Sequence, residues 1–209
     1  MDTRASNLPP TADPQIFVAG VDEVGRGALF GPVVAAAVIL SDGAAAELAA
    51  AGVRDSKKLG VRDRDRLAGL IRAKAVDCKI GWARAREIDR LNILQGTLLA
   101  MRRSVLKLDP TPHRCLVDGN RLIPELRIPQ EAIVGGDGYH TAIAAASIVA
   151  KVWRDALIVR LDRIYPQYDL ARNKGYGTKR HREALQTYGP SFHHRMSFAP
   201  CQLSLPLGI

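Results

Sequence analysis

Cysteine is scarce in this chain of 209 residues. Cys78, Cys115 and Cys201 are the whole set, and no two of them stand in a C-x-x-C spacing. An odd, scattered set argues against a disulfide framework and points to reduced thiols in a cytosolic setting. No apolar run reaches the length of a membrane span, so no membrane partner is expected. The first sixteen residues are polar and contain proline, with no apolar h-region. They read as neither a signal peptide nor an anchor, but as a disordered tail over residues 1–16. There is no internal repeat and no linker composition. A single domain over residues 17–209, acting as a monomer, is the expectation. Acids are short against bases: Asp plus Glu number 21 and Lys plus Arg 30, for a net charge of +9. That balance suggests a polyanionic partner. Residues 172–195 concentrate it, with Arg172, Lys174, Lys179, Arg180, Arg182 and Arg195 against Glu183, and read as a phosphate-tracking surface.

The most informative stretch is Gly20-Val21-Asp22-Glu23-Val24-Gly25-Arg26-Gly27, closed by Gly31-Pro32. Two adjacent acids follow one apolar run and precede another. Like charges that close do not both ionise cheaply unless a cation sits between them. Hard divalent ions take carboxylate oxygens, and glycines let backbone N–H groups approach a ligand closely. The segment therefore suits a metal ion and a sugar-phosphate together. A strand ending in a solvated acidic turn is the bland alternative.

Residues 17–22, 33–40 and 76–82 read as strands that pair as a meander. In the third, Val76, Cys78, Ile80 and Trp82 alternate with polar residues, which predicts one buried face. Residues 44–51, 62–74 and 84–108 read as helical, the last with a break near Asn92. Short apolar strands run into Asp118-Gly119 and, over 132–134, into Gly135-Gly136-Asp137. Residues 141–165 form a long helix ended by Pro166, with Ile143, Ala146, Val149, Trp153 and Ala156 on its core face. Thr178 caps a further helix to about Tyr188. Strands alternating with helices indicate an α/β fold, a mixed sheet with helices packed on it. Acids end three of these strands, and strand ends in such sheets gather around one crevice. Four converging carboxylates with two ions roughly 3.5–4 Å apart make a phosphoryl-transfer site. Taken singly, Asp118-Gly119 reads as a turn and Asp137 as a helix cap.

The order of these blocks resembles type 2 ribonuclease H. Besides the glycine turn, the matching segments are Asp55-Ser56-Lys57-Lys58-Leu59 and Val117-Asp118-Gly119-Asn120. Gly136-Asp137 follows, with the helix from Ile143 through Lys151 to Arg154-Asp155. Asn173-Lys174-Gly175-Tyr176-Gly177-Thr178, His181, and His194-Arg195 with Ser197-Phe198-Ala199-Pro200 complete the set.

The resemblance implies the ribonuclease H-like fold, with a helical C-terminal region from about residue 166. It implies that Asp22, Glu23 and Asp118 are ligands of Mg²⁺ or Mn²⁺ and that Asp137 is the fourth active-site acid and metal ligand. It assigns reading of the ribose 2′-OH, the group that separates RNA from DNA, to the backbone of Gly25, Arg26 and Gly27. Tyr176 would press on the sugar after the ribonucleotide. Lys57 and Lys58 read as phosphate ligands or as a solvated turn. The expected partners are RNA–DNA hybrids and duplex DNA containing ribonucleotides. The cut would fall 5′ of the ribonucleotide and leave 3′-OH and 5′-phosphate ends.

The chain departs from the family at Gly135, where a lysine is usual, and at Tyr139 and His140. The lost lysine bears on metal preference and rate; the reaction type stands on the four acids. Type 3 ribonuclease H is the nearest rival, but it typically carries Lys where Arg26 stands, and an added N-terminal domain. A non-catalytic hybrid-binding protein would lack one or more of the acids. His140, His181, His193 and His194 show no metal-ligand spacing and read as structural.

Overall fold

The structure is a computed structural model and describes residues 16–54 and 59–202. The expected tail lies almost wholly outside the described residues. Two strands come first, β1 (Val18–Val24) and β2 (Val33–Ile39), followed by helices α1 (Asp42–Ala50) and α2 (Val61–Lys74). β3 (Asp77–Ala83), α3 (Ala85–Leu91), α4 (Ile93–Val105), β4 (Arg114–Asp118) and β5 (Gln130–Ile133) come next. The C-terminal part is helical: α5 (Thr141–Asp162), α6 (Leu170–Asn173), α7 (Lys179–Tyr188) and α8 (Ala199–Gln202). One mixed sheet runs β3-β2-β1-β4-β5. β1, β2 and β3 form the expected antiparallel meander, while β4 and β5 add in parallel to β1.

β2 is buried along its whole length, because helices cover both sides of the sheet. Val33, Ala35 and Ala37 face α4, and Val34, Ala36 and Val38 face α1, α2 and α5. A strand buried on both faces has no polar alternation. The same layering corrects the reading of β3. Its Cys78, Ile80 and Trp82 do pack toward α5, but only partly buried. Gly81 and Ala83 on the supposedly polar face are the buried ones, under α4.

α5 rests on β1 where Gly20 has no side chain. A Cβ there would stand 2.2 Å from the backbone carbon of Ala142, so any larger residue would lift the helix off the sheet. Ile143, Ala146 and Val149 face the core as expected, but Ala156 is exposed. The buried stripe turns instead through Arg154 and Ile158. Trp153 still reaches the sheet, its ring stacked on Trp82 of β3 with centroids 5.6 Å apart, while Arg154 and Ile158 turn toward the C-terminal segment. There Leu29, Phe30, Ile158, Tyr168 and Leu185 form a separate small core. Asn92 breaks the helical run between α3 and α4 with φ 74°, its side chain accepting from the Gln95 N–H. Thr178 caps α7 by accepting from the His181 N–H. No helix among the described residues is long and apolar enough to cross a membrane.

Candidate active site

Strand register brings the first two acids together. β1 and β4 are parallel, with Val21 opposite Val117, so Asp22 and Asp118 are the next residues up on neighbouring strands. Both follow core residues that face α4, so both turn toward α5. Carboxylate oxygens of Asp22, Glu23 and Asp118 lie within 4.8 Å of one another. Asp22 is 4% exposed. Its Oδ1 accepts from the Glu23 N–H at 2.6 Å, and its side chain bonds that of Ser147 on α5. Burial, and then the charges of Glu23 and Asp118, push the Asp22 carboxyl well above the usual carboxylate range. Burial raises Glu23 as well, against the pull of Arg26, whose Nη1 is 3.3 Å from Glu23 Oε1.

A cluster of acids that resist ionising is relieved by a cation. The donor set here is all carboxylate oxygen, which suits a hard divalent ion such as Mg²⁺ or Mn²⁺. The residues present therefore fit the metal that the sequence implies.

Asp137 stands apart from this set. It lies in a single 3-10 turn, Gly136–Gly138, leading into α5, and is buried. The gathered ligand atoms do not include it. The turn is nevertheless adjacent: a Cβ on Gly136 would come within 3.5 Å of Asp118 Oδ1.

The acids floor a cleft of about 420 Å³ walled by Gly25, Arg26, Gly27, Arg64, Lys151 and Tyr176. Gly25 takes φ +87°, and a Cβ there would stand 2.2 Å from Arg154 Nε. The glycine is required on both counts.

Two buried arginines hold this turn. Arg195 donates to the carbonyls of Gly25 and Arg26, both at 2.7 Å, and of Gly31 at 3.0 Å. Arg154 donates to the carbonyls of Phe30 at 3.0 Å, Pro32 at 3.1 Å and Lys174 at 2.8 Å. Both side chains are 0% exposed. Burial lowers both guanidinium groups, and Arg195, lowered to about 9 by burial and then by Arg154, stays charged at neutral pH. In a planar trans peptide the C=O and the following N–H point in opposite directions. With the Gly25 and Arg26 carbonyls drawn inward, the N–H groups of Arg26 and Gly27 turn away from Arg195, and both residues line the cleft.

Tyr176 is brought to the same loop. Its backbone bridges Ala28, and the Gly175 carbonyl accepts from Leu29 and Phe30. Its ring has Arg154 at 5.6 Å and Lys151 at 5.8 Å from the centroid. Lys57 and Lys58 lie outside the described residues.

The basic stretch 172–195 is not one surface. Arg195 is core, and Lys174 Nζ bonds back to the Ala171 carbonyl. Lys179 and Arg180 remain on the outside, with side chains 92% and 68% exposed. The sequence reading gave no role to Ser147, Lys151 or Arg154. Their signal was present, since they interrupt an apolar helix at i, i+4 and i+7.

The profile of the family described as Ribonuclease HII matches residues 19–201. The chain belongs to the ribonuclease HII family. It is 63% identical to the ribonuclease HII of Acaryochloris marina over 90% of its own length and 95% of that protein. It is equally identical, at 63%, to that of Trichodesmium erythraeum, over 90% of its length and 89% of that protein. Among solved structures, the ribonuclease H2 of Pyrococcus horikoshii superposes with a TM-score of 0.78 at 25% identity, covering 90% of this chain and 97% of that one. The chain is thus a ribonuclease H, an endonuclease of a family that uses divalent metal and acts on RNA–DNA substrates. The mixed five-stranded sheet flanked by helices is the ribonuclease H fold that the sequence implied.

Proposed function

We propose that the enzyme hydrolyses the RNA strand of RNA–DNA hybrids and also cuts duplex DNA on the 5′ side of single embedded ribonucleotides, leaving 3′-OH and 5′-phosphate ends. The observation that carries this reading is the acid cluster sharing one cleft with the Gly25-Arg26-Gly27 loop, whose carbonyls Arg195 holds on the inner side. Asp22, Glu23 and Asp118 are the proposed ligands of Mg²⁺ or Mn²⁺. Asp137 is the proposed fourth acid, carried on the turn whose Gly136 lies beside Asp118. The bound metal supplies Lewis-acid polarisation of the scissile phosphate and a nucleophilic water at neutral pH.

The chain's own groups do the rest. Ser147 orients Asp22 by its hydrogen bond. The outward N–H groups of Arg26 and Gly27 offer donors to the ribose 2′-OH and phosphate, which a deoxyribose fills less well. Tyr176 packs on the next sugar. Lys151, paired with Asp155 at 3.0 Å, adds positive charge along the wall. Lys57 and Lys58 remain proposed phosphate ligands. Residues 17–209 act as one catalytic unit in this reading, because Arg195 and Tyr176 from the C-terminal part complete the loop of β1. The enzyme works as a cytoplasmic monomer.

The deciding experiment offers a duplex with one embedded ribonucleotide and either metal, and maps the cut. Cleavage of long hybrids with an intact single-ribonucleotide duplex would reject the junction reading.

Tyr176→Ala is expected to lower kcat/KM on the single-ribonucleotide duplex about tenfold more than on long hybrid. One site has one productive register, so a misplaced phosphate is costly. Equal losses on the two substrates would leave Tyr176 a general contact.

Lys179→Ala with Arg180→Ala is expected to weaken hybrid binding and reduce the salt slope by about 1–2. The cut position should not move, since phosphate contacts position without specifying. Titrations at several salt concentrations measure this, and an unchanged slope would take these residues off the nucleic-acid path.

A further inference from the structure

His181 and His194 are fully buried, and their rings meet at 3.0 Å between the two Nε2 atoms. The proton positions follow from the outer partners. The Ser191 N–H donates to His194 Nδ1 at 2.9 Å. That nitrogen is therefore an acceptor, and in a neutral ring the proton of His194 sits on Nε2. His181 Nε2 must then accept. Its own proton sits on Nδ1, 2.9 Å from the Tyr176 carbonyl, to which it donates. One arrangement satisfies all four ring nitrogens: Ser191 to His194 to His181 to Tyr176. Burial keeps both rings below their ordinary range, His194 at about 3, so both are neutral.

The end of this wire is informative. The Tyr176 carbonyl also accepts from the Thr178 N–H at 2.8 Å, making a tight turn over Gly177. Glycine restrains its own backbone weakly, so the peptide after Tyr176 depends on what holds its carbonyl. His181 supplies that hold from the first turn of α7, and Tyr168, with its ring centroid 4.6 Å from that of His194, locks the pair laterally.

We infer that His181 and His194 are positioning residues that set the peptide plane at Tyr176, and through it the direction in which the tyrosine ring crosses the cleft. Neither ring lines the cleft. The inference rests on the proposed substrate contact of Tyr176.

The test uses two near-isosteres. In His194→Asn the amide oxygen can still accept from Ser191, but the side chain is too short to reach His181. In His194→Gln the longer amide can donate to His181 Nε2. With single-ribonucleotide duplex and long hybrid as substrates, His194→Asn is expected to reproduce the selectivity loss of Tyr176→Ala, about tenfold, in kcat rather than KM. His194→Gln is expected to keep the wild-type ratio. Loss of activity on both substrates in equal proportion would mean a structural role only and would overturn the inference.

Imidazole ¹⁵N shifts of the wild-type protein give a readout that does not depend on variants folding. A proton on Nδ1 of His181 and on Nε2 of His194 is expected, and the opposite pair of tautomers would overturn the wire. If Tyr176→Ala itself leaves the ratio unchanged, the substrate contact fails. If Tyr176→Ala shifts the ratio and His194→Asn does not, the wire alone fails.

Discussion

Asp22→Asn and Asp118→Asn are each expected to lower kcat/KM on a hybrid by on the order of a thousandfold while raising the melting temperature of the metal-free protein. A bound divalent ion contributes several kcal/mol of transition-state charge stabilisation, and about 4 kcal/mol corresponds to about a thousandfold. An amide keeps the shape of the carboxylate but removes the charge that holds the ion. The same charge is a liability without metal, because burial and its acidic neighbours oppose ionisation of Asp22.

The sign of the pH dependence follows. The Asp22 carboxyl is raised in the folded state, so above the ordinary carboxylate value the folded protein binds more protons than the unfolded one. Stability of the metal-free protein then falls as pH rises through that window. Asp22→Asn should flatten this slope. Thermal melts in EDTA between acid and neutral pH, with kinetics across a Mg²⁺ and Mn²⁺ titration, measure both halves. A variant that cuts at the wild-type rate at any metal concentration would remove that acid from the proposed ligand set.

Arg195→Lys should be the more damaging change to the fold and the less obvious one to function. Lysine carries the charge but not the planar fork that reaches three carbonyls at once. Charge-assisted hydrogen bonds contribute roughly 1.5–3 kcal/mol each, so losing the grip on the Gly25 and Arg26 carbonyls should cost about 3 kcal/mol or more. For a chain of this size, that is a fall of roughly 6–12 °C in melting temperature. The amides of Arg26 and Gly27 would lose their outward direction. A misplacement near 1 Å costs about a hundredfold in rate. If Arg195→Lys instead keeps wild-type kcat/KM below its melting temperature, the loop holds its own shape and the arginine bracket is not what aims it.

The strand-end acids show how far the site was legible. Asp22, Glu23 and Asp118 each end an apolar run, and local pattern suffices to place an acid at a strand end. Their gathering needed the added rule that strand ends of a mixed sheet share a crevice. Asp137 ends an equally clear run, yet the short 3-10 turn after β5 carries it to the base of α5, outside the tight cluster. No local pattern encodes that one-turn offset.

The arginines failed for the opposite reason. Arg195 looked like one more basic residue in a basic stretch, since charge density does not tell a solvated guanidinium from one buried among carbonyls. Arg154 sits buried in a helix whose spacing predicts a core face running on to Ala156. The inward face of α5 turns because residues from Tyr168 to Cys201, with Leu29 and Phe30, pack over Ile158, and most of that contact is long-range.

Taken by itself, the order of residues determined the elements of this protein, its family, and the acids with their hard-cation chemistry. The elements and the acids are carried by periodicity, caps and strand-end charge, all of which act within a few residues, and the family by the resemblance of its ordered motifs. Tertiary structure alone decided that the C-terminal segment reaches back some 170 residues, from Arg195 to Gly25, to hold the glycine loop's carbonyls inward beside the acids. A hydrogen-bonding group satisfies whatever partner the fold brings to it, and the sequence of a loop does not say which way its peptides will face.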